Sequence, residues 1–104
     1  MQIRTYTSSD RIACLEIFKS NMPLYFDVSE FNLLKHWLDA KDKQQLAYPN
    51  NVAEHFYVLE DHNSILACGG IYIPAGEKTA KLTWGMVDHA AHKKGFGKKL
   101  LEFR

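Results

Sequence analysis

Cysteine, proline and long apolar runs are all scarce in this sequence of 104 residues. The two cysteines, Cys14 and Cys68, lie far apart in apolar stretches, so we interpret them as buried free thiols and not as a disulfide scaffold. No apolar run approaches the roughly 20 residues that cross a bilayer, and the polar segment 1–10 is unlike a signal peptide. The sequence therefore predicts one cytoplasmic domain with no membrane partner.

Net charge is also nearly absent, since 13 basic and 12 acidic residues leave a formal charge of +1. No overall field favours nucleic acid or an anionic surface. The positive charge is instead local, at Lys93, Lys94, Lys98 and Lys99. A nucleic-acid site would need interleaved aromatic side chains, and Phe96 alone lies within this cluster, so we predict no nucleic-acid partner.

Hydrophobic periodicity and turn residues predict the order strand, helix, helix, three antiparallel strands, helix, which is an α+β fold. The predicted bounds are 2–6, 8–20, 28–40, 55–59, 65–73 and 79–87, and the last helix follows a glycine-bearing loop. Capping pairs, Thr7 with Asp10 and Asp27 with Glu30, mark the starts of the first two helices. Gly85 inside the last strand predicts a bulge or a close backbone approach.

The helix periodicity also predicts which side chains are buried. On the first helix the predicted buried face carries Ile12, Leu15 and Phe18, and it is widened by Cys14 and Ile17. On the second helix it carries Phe31, Leu34 and Leu38.

The loop between the last strand and the last helix is the segment with the clearest chemistry. Gly95 and Gly97 allow close backbone approach, and the helix that follows has unpaired N–H groups at its positive end. Together these features predict an anion site suited to phosphate. The spacing is neither that of a P-loop, which needs a hydroxyl after Gly-Lys, nor that of the dinucleotide fingerprint. From these residues alone, an ordinary strand-to-helix turn stays open.

The segment His92-Lys93-Lys94-Gly95-Phe96-Gly97 resembles the pyrophosphate loop of the GNAT family of N-acetyltransferases, Gln/Arg-x-x-Gly-x-Gly/Ala. Two positions depart from the pattern: His92 stands where Gln or Arg is usual, and His89 stands where proline is usual. The predicted order of elements also resembles the family's order, across essentially the whole chain. The resemblance implies a three-layer α+β fold and acetyl transfer from acetyl-CoA to a small-molecule or peptide amine.

The resemblance also implies a set of site residues. The expected cofactor-binding residues follow the strand end and the loop: Met86, Val87, His92, Lys93, Lys94, Gly95, Phe96, Gly97 and Lys98. The expected acceptor wall is the segment between the first two helices, Tyr25, Phe26 and Asp27, for which core packing and helix capping are the alternative interpretation. No acid lies between Glu77 and Asp88, so the catalytic residues are unassigned. Asp88, His89 and His92 match a metal site too loosely to predict one.

The family's fold normally continues beyond the last helix with further strands. Three interpretations therefore stay open for this chain. It is part of a longer acetyltransferase, or a second copy completes the sheet as a homodimer, or it is a non-catalytic CoA-binding or dimerisation module.

Overall fold

One four-stranded antiparallel sheet organises the chain. The computed structural model describes residues 1–22, 27–91 and 95–103. The strands are β1 (Gln2–Thr5), β2 (Asn51–Asp61), β3 (Ser64–Pro74) and β4 (Lys81–Val87), and the helices are α1 (Arg11–Ser20), α2 (Phe31–Asp42) and α3 (Phe96–Phe103). Strand order in the sheet is β1-β2-β3-β4. This architecture confirms the predicted α+β class and order of elements.

The first two helices begin where their caps were predicted. Each is preceded by one 3-10 turn, at Ser8–Asp10 and Val28–Glu30. The Asp27 carboxylate accepts from the Ser29 N–H at 3.3 Å, and Glu30 Oε2 accepts from the Asp27 N–H at 3.0 Å. These short-range bonds satisfy N–H groups that a helix start leaves unpaired. The predicted capping pair at Asp27 is therefore confirmed.

Asp10 caps the turn before α1 and also ties it to the sheet. Its carboxylate accepts from the Thr7 N–H at 2.9 Å and from the Arg4 guanidinium at 2.8 and 2.9 Å. Burial acts to raise the pKa of this carboxyl, but the Arg4 and Thr7 bonds outweigh it and hold the pKa below its ordinary value. The cap is therefore also an ion pair that fixes β1 against α1.

The sheet separates two apolar layers. The main core lies between the sheet and α1 with α2, and its fully buried side chains include Phe18, Leu34, Trp37, Leu38 and Cys68. On the opposite face, Leu59 and Ala67 are buried under α3, where Phe96 packs on them and the Phe103 ring lies 5.0 Å from that of Tyr57. Alternate strand residues thus face opposite layers. The result is the predicted three-layer arrangement, and both cysteines are buried and free.

Two predicted details are wrong. Ile12 is 74% exposed, because the buried stripe of α1 runs through Cys14, Ile17 and Phe18. At about 100° per residue, Ile12 lies about 200° around the helix from Cys14. Strand β2 begins at Asn51 and not at residue 55, because β3 continues far enough to pair with it from Asn51 to Asp61.

The bulge predicted at Gly85 is present. The β3–β4 register shifts between Cys68, which faces Met86, and Gly70, which faces Thr83, so β4 has one extra residue there. Trp84 accommodates the extra residue with φ at +49°, a left-handed backbone conformation that is uncommon for residues other than glycine. The strand therefore bends at Trp84, near the middle of its length.

Candidate functional site

The C-terminal end of β4 is held in place by the end of α1. The buried Asn21 amide donates from Nδ2 to the Val87 carbonyl at 2.9 Å and to the Ile17 carbonyl at 2.8 Å. Next to it, Ser20 Oγ accepts from the His89 N–H at 3.0 Å. The bond to Ile17 satisfies a carbonyl that the end of α1 leaves unpaired, and the bonds to Val87 and His89 tie the end of β4 to that helix end. Sequence reasoning missed Asn21, although a polar side chain directly after an apolar helix stripe was a usable signal.

Strand geometry distinguishes the two residues predicted to meet the pantetheine arm. The Asp88 N–H donates to the Leu66 carbonyl at 2.8 Å, and the next pairs along the ladder are Ala67 with Val87 and Cys68 with Met86. Hydrogen-bonded and non-hydrogen-bonded pairs alternate in an antiparallel ladder. The backbone groups of Val87 therefore point away from β3, whereas those of Met86 point toward it. Val87 is the better placed of the two to meet a ligand at the outer edge.

Helix α3 begins directly after Gly95, a glycine with a left-handed backbone conformation. Gly95 has φ at +81°, and a side-chain carbon added there would meet nothing within 4 Å. Its carbonyl accepts the first helical bond, from the Lys99 N–H at 3.1 Å. The Phe96 side chain packs on the sheet and anchors the helix start, while Lys98 is exposed. Gly95, at the positive end of α3, is exposed.

Several predicted site residues lie outside the described residues, namely Tyr25, Phe26, His92, Lys93 and Lys94. Their predicted roles stay predictions, as do those of Gly97 and Lys98. Asp27 is exposed and occupied with helix capping. Its further role as an acceptor residue stays a prediction too.

A second feature is a cavity with aromatic walls, which we call the aromatic cavity. It has a volume of about 340 Å³ and lies between α2, the bulge of β4 and the adjoining ends of β2 and β3. Its lining residues are Leu33, Trp37, Tyr48, Asn51, Tyr72, Thr83 and Trp84. They come from separate segments of the chain, so no local pattern could have predicted the cavity.

The buried carboxylate of Glu54 holds one wall of the aromatic cavity. Its side chain is fully buried and accepts from the Asn51 amide at 2.7 Å, the Tyr48 N–H at 3.1 Å, the Ala47 N–H at 2.6 Å and the Lys41 ammonium at 2.7 Å. Burial acts to raise the pKa of Glu54, but Lys41 and the other donors outweigh it and keep the pKa below its ordinary value. Glu54 therefore stays ionised and fixes the segment that carries Tyr48 and Asn51.

A larger cavity, of about 530 Å³, lies beside the ends of β1 and α2, away from β4. Two of its polar groups are already paired: the Tyr6 hydroxyl donates to Asp42 at 2.7 Å, and Lys41 is bound to Glu54. Burial, together with the bond to Asp42, raises the pKa of the Tyr6 hydroxyl. None of the buried side-chain nitrogens or oxygens of the described residues that line this cavity lacks a partner, and we place no function there.

Three further results describe the surroundings of the site. Lys81 on β4 is exposed, and its Nζ lies 3.3 Å from the Glu77 carboxylate. Within residues 1–22, 27–91 and 95–103, no cluster of three His, Cys, Asp or Glu side chains has the arrangement to hold a metal ion. None of the helices in those ranges combines the length and apolarity that spanning a membrane requires.

Comparison with protein families identifies what this arrangement is. The family described as Acetyltransferase (GNAT) family matches residues 13–103. The chain belongs to this family. The matched segment includes most of α1, all of α2, the bulged strand β4 and α3. Among curated proteins, no sequence matches the chain.

Solved structures of GNAT acetyltransferases share the fold. An aminoglycoside 6'-N-acetyltransferase complexed with coenzyme A superimposes with a TM-score of 0.67 at 12% identity over 99% of this chain and 52% of its own. The ribosomal-protein-alanine N-acetyltransferase of Brucella melitensis gives 0.68 at 16% identity, over 99% and 64%. A PaiA N-acetyltransferase of Thermoplasma acidophilum, in complex with coenzyme A, gives 0.63 at 16%, over 98% and 67%. The chain thus spans about half to two thirds of these structures.

Proposed function

We propose that this chain is the N-terminal part of an acetyl-CoA-dependent N-acetyltransferase, with the CoA pyrophosphate held at the start of α3. The observation that carries the proposal is the left-handed Gly95 directly before the helix that follows the bulged strand β4 in the chain. The unpaired N–H groups of the first turn of α3 suit a phosphate chemically, and the open space above Gly95 suits its close approach. The residues present therefore fit acetyl-CoA.

In the proposed reaction, acetyl-CoA supplies the activated acetyl group and the acceptor supplies a neutral amine. The amine nitrogen attacks the thioester carbonyl carbon, the carbon–sulfur bond breaks, and the amine's proton ends on the sulfur of the CoA thiol. The product is an amide. The outward-facing backbone of Val87 would align the pantetheine arm. The Val87 carbonyl would then accept hydrogen bonds from both the Asn21 amide and the arm. The α3 amides would fix the pyrophosphate and so position the thioester.

Two glycines of the same conformation allow a matched test of the loop. Gly95 and Gly76 both have φ at +81° with nothing within 4 Å of an added side-chain carbon, but Gly76 lies in the β3–β4 turn. Alanine at either position should cost about 1–2 kcal/mol of stability through left-handed strain. Acetyl-CoA at a hundredfold its Kd should stabilise the unaltered protein by about 2.7 kcal/mol.

The experiment is thermal unfolding of the unaltered protein, G95A and G76A, each with and without acetyl-CoA. We expect G76A to keep the ligand-induced rise in Tm and G95A to lose most of it. An equal rise in Tm in both variants would contradict the placement of acetyl-CoA at the loop. The absence of any rise in a cooperatively folded protein would contradict the proposal as a whole.

The second candidate is a non-catalytic CoA-binding or dimerisation module. It is favoured by the position of β4, which lies at the outer edge of the sheet and pairs with no other strand among the described residues on that side. An edge strand of this kind invites pairing with a second copy. Release of free thiol from acetyl-CoA in the presence of an amine would favour the enzyme. A CoA-dependent Tm rise without thiol release, together with a dimer in sedimentation, would favour the module.

A further inference from the structure

We infer that the aromatic cavity is the acceptor subsite and that it takes an arylalkylamine, a flat aromatic ring joined by a short aliphatic arm to one primary amine. The inference rests on the proposed function and names its substrate class. Three properties of the cavity carry it: its aromatic walls, the absence of ionised lining groups, and its place beside the bulge of β4.

The walls of the cavity suit a flat ring. Trp37, Tyr48, Tyr72 and Trp84 make up four of the seven lining residues, with Leu33 at the exposed rim. Aromatic pairs gain about 0.5–1.5 kcal/mol beyond the area that they bury. The volume, about 340 Å³, is at the small end of the range for small-molecule sites. The cavity therefore favours a small aromatic body over an extended chain.

The charges around the cavity exclude a polycation. None of the seven lining residues is ionised, so no carboxylate of the lining would pair with several ammonium groups. One cation close to a wall of the cavity is Lys41, whose Nζ lies 4.7 Å from the centroid of the Trp37 ring and 2.7 Å from the Glu54 carboxylate that neutralises it. A buried ligand cation would meet Lys41 across that ring without a free counter-charge. The ligand's single amine is therefore expected outside the aromatic pocket.

The position of the cavity directs that amine toward the proposed thioester. Trp84 is both a wall of the cavity and the bulged residue of β4. Val87, whose outward backbone would align the cofactor arm, lies three residues further on, about 10 Å along a strand. A substituted ring with a two-carbon arm is of comparable length. A ring held against Trp84 thus places its amine near the acetyl group.

The chain offers a clean spectroscopic test, because its two tryptophans both line the cavity. Tryptophan emission, excited at the red edge where phenols do not absorb, is followed during titration with tyramine. Two control titrations use hexylamine, an aliphatic amine, and spermidine, a polycation. The titrations are made with and without CoA. We expect a saturable response to tyramine, with an apparent affinity about tenfold or more above that for the other two amines.

Two variants test the location of the response. L33R places a long charged side chain at the half-exposed rim of the cavity and should not disturb the core. Y72A removes a wall, and Y57A is its control, since Tyr57 packs on Phe103 on the other face of the sheet. We expect L33R and Y72A to weaken tyramine binding about tenfold or more, and Y57A to leave it unchanged.

The inference is overturned if tyramine gives no saturable response in either condition, if hexylamine or spermidine binds equally well, or if L33R binds tyramine normally. The outcome is separable from that of the proposed function. Tyramine binding without any acetyl-CoA effect on Tm would support the acceptor subsite and contradict the proposed cofactor site. An acetyl-CoA effect that depends on Gly95, without tyramine binding, would contradict the acceptor subsite alone.

Discussion

Replacement of Glu54 by glutamine should destabilise the protein more than any exposed charge change. The carboxylate is fully buried and accepts four hydrogen bonds, one of them from Lys41. Glutamine keeps one carbonyl oxygen and turns an NH₂ group toward donors. If the new carbonyl oxygen faces Ala47, the Asn51 amide can turn and keep a hydrogen bond to the NH₂ group. The Tyr48 N–H then loses its acceptor, and the Lys41 ammonium loses its counter-charge.

The magnitude follows from those two losses. An N–H left without its acceptor costs about 1 kcal/mol or more, and a largely buried ammonium without its anion costs about 1–3 kcal/mol. The expected loss for E54Q is therefore about 2–4 kcal/mol, a large part of the 5–15 kcal/mol typical of a domain. For a chain of this length it lowers Tm by at least about 10 °C. Chemical denaturation and calorimetry measure both quantities.

The control is E60Q, on the same strand. Glu60 pairs with Arg4 at 3.3 Å, but both side chains are partly exposed, so the expected loss is below about 1 kcal/mol. If E54Q also costs less than about 1 kcal/mol, the reasoning from burial and pairing is refuted. A cost confined to E54Q would support it, and weaker tyramine binding by the folded variant would further link Glu54 to the cavity wall.

The same carboxylate predicts a pH dependence. The pKa of Glu54 is lowered on folding, so the unfolded chain binds more protons at acidic pH and stability rises with pH. The stabilisation is complete above the unfolded pKa of about 4.3 and is lost as pH falls through the lower folded pKa. Denaturation curves from pH 6 down to about pH 2 should show this loss, with a shallower dependence in E54Q. A parallel dependence in both proteins would contradict the assignment.

Two further substitutions test packing and the end of β4. G70A should cost about 1–3 kcal/mol, since its new carbon would lie 2.6 Å from the His55 carbonyl oxygen; a neutral result in denaturant unfolding would show that β2 can give way there. N21A should cost about 2 kcal/mol, because the Ile17 and Val87 carbonyls both lose a donor. If Val87 also aligns the cofactor, N21A should change the Tm rise with acetyl-CoA beyond this loss of stability, and an unaltered rise would separate the two roles.

Much of the fold could be predicted because its signals are local. Helix starts follow from side chains that bond backbone groups two or three residues away, as Asp27 does, and those bonds exist whatever the rest of the chain does. Strand and helix periods fix which side chains share a face. The glycine at 95 was expected to let the backbone approach a ligand closely, and in the structure it has φ at +81° directly before a helix.

The errors and omissions concern features that separate segments make together. Ile12 is exposed because the docking of α1 against the sheet sets which stripe is buried. The early start of β2 depends on the length of its neighbour β3. The Asn21 bond to Val87 joins residues that are far apart in sequence. No pattern within a window of the chain contains this information.

The sequence by itself determined the class of fold, the order of its elements and the place of the glycine loop, since backbone propensity, capping and periodicity act over a few residues. Tertiary structure alone decided the aromatic cavity and the left-handed Trp84 at the bulge. These depend on how α2, the Glu54 network and a one-residue register shift between β3 and β4 meet in space. Register and docking are set by the packing of the whole core, and so they appear only once the chain has folded.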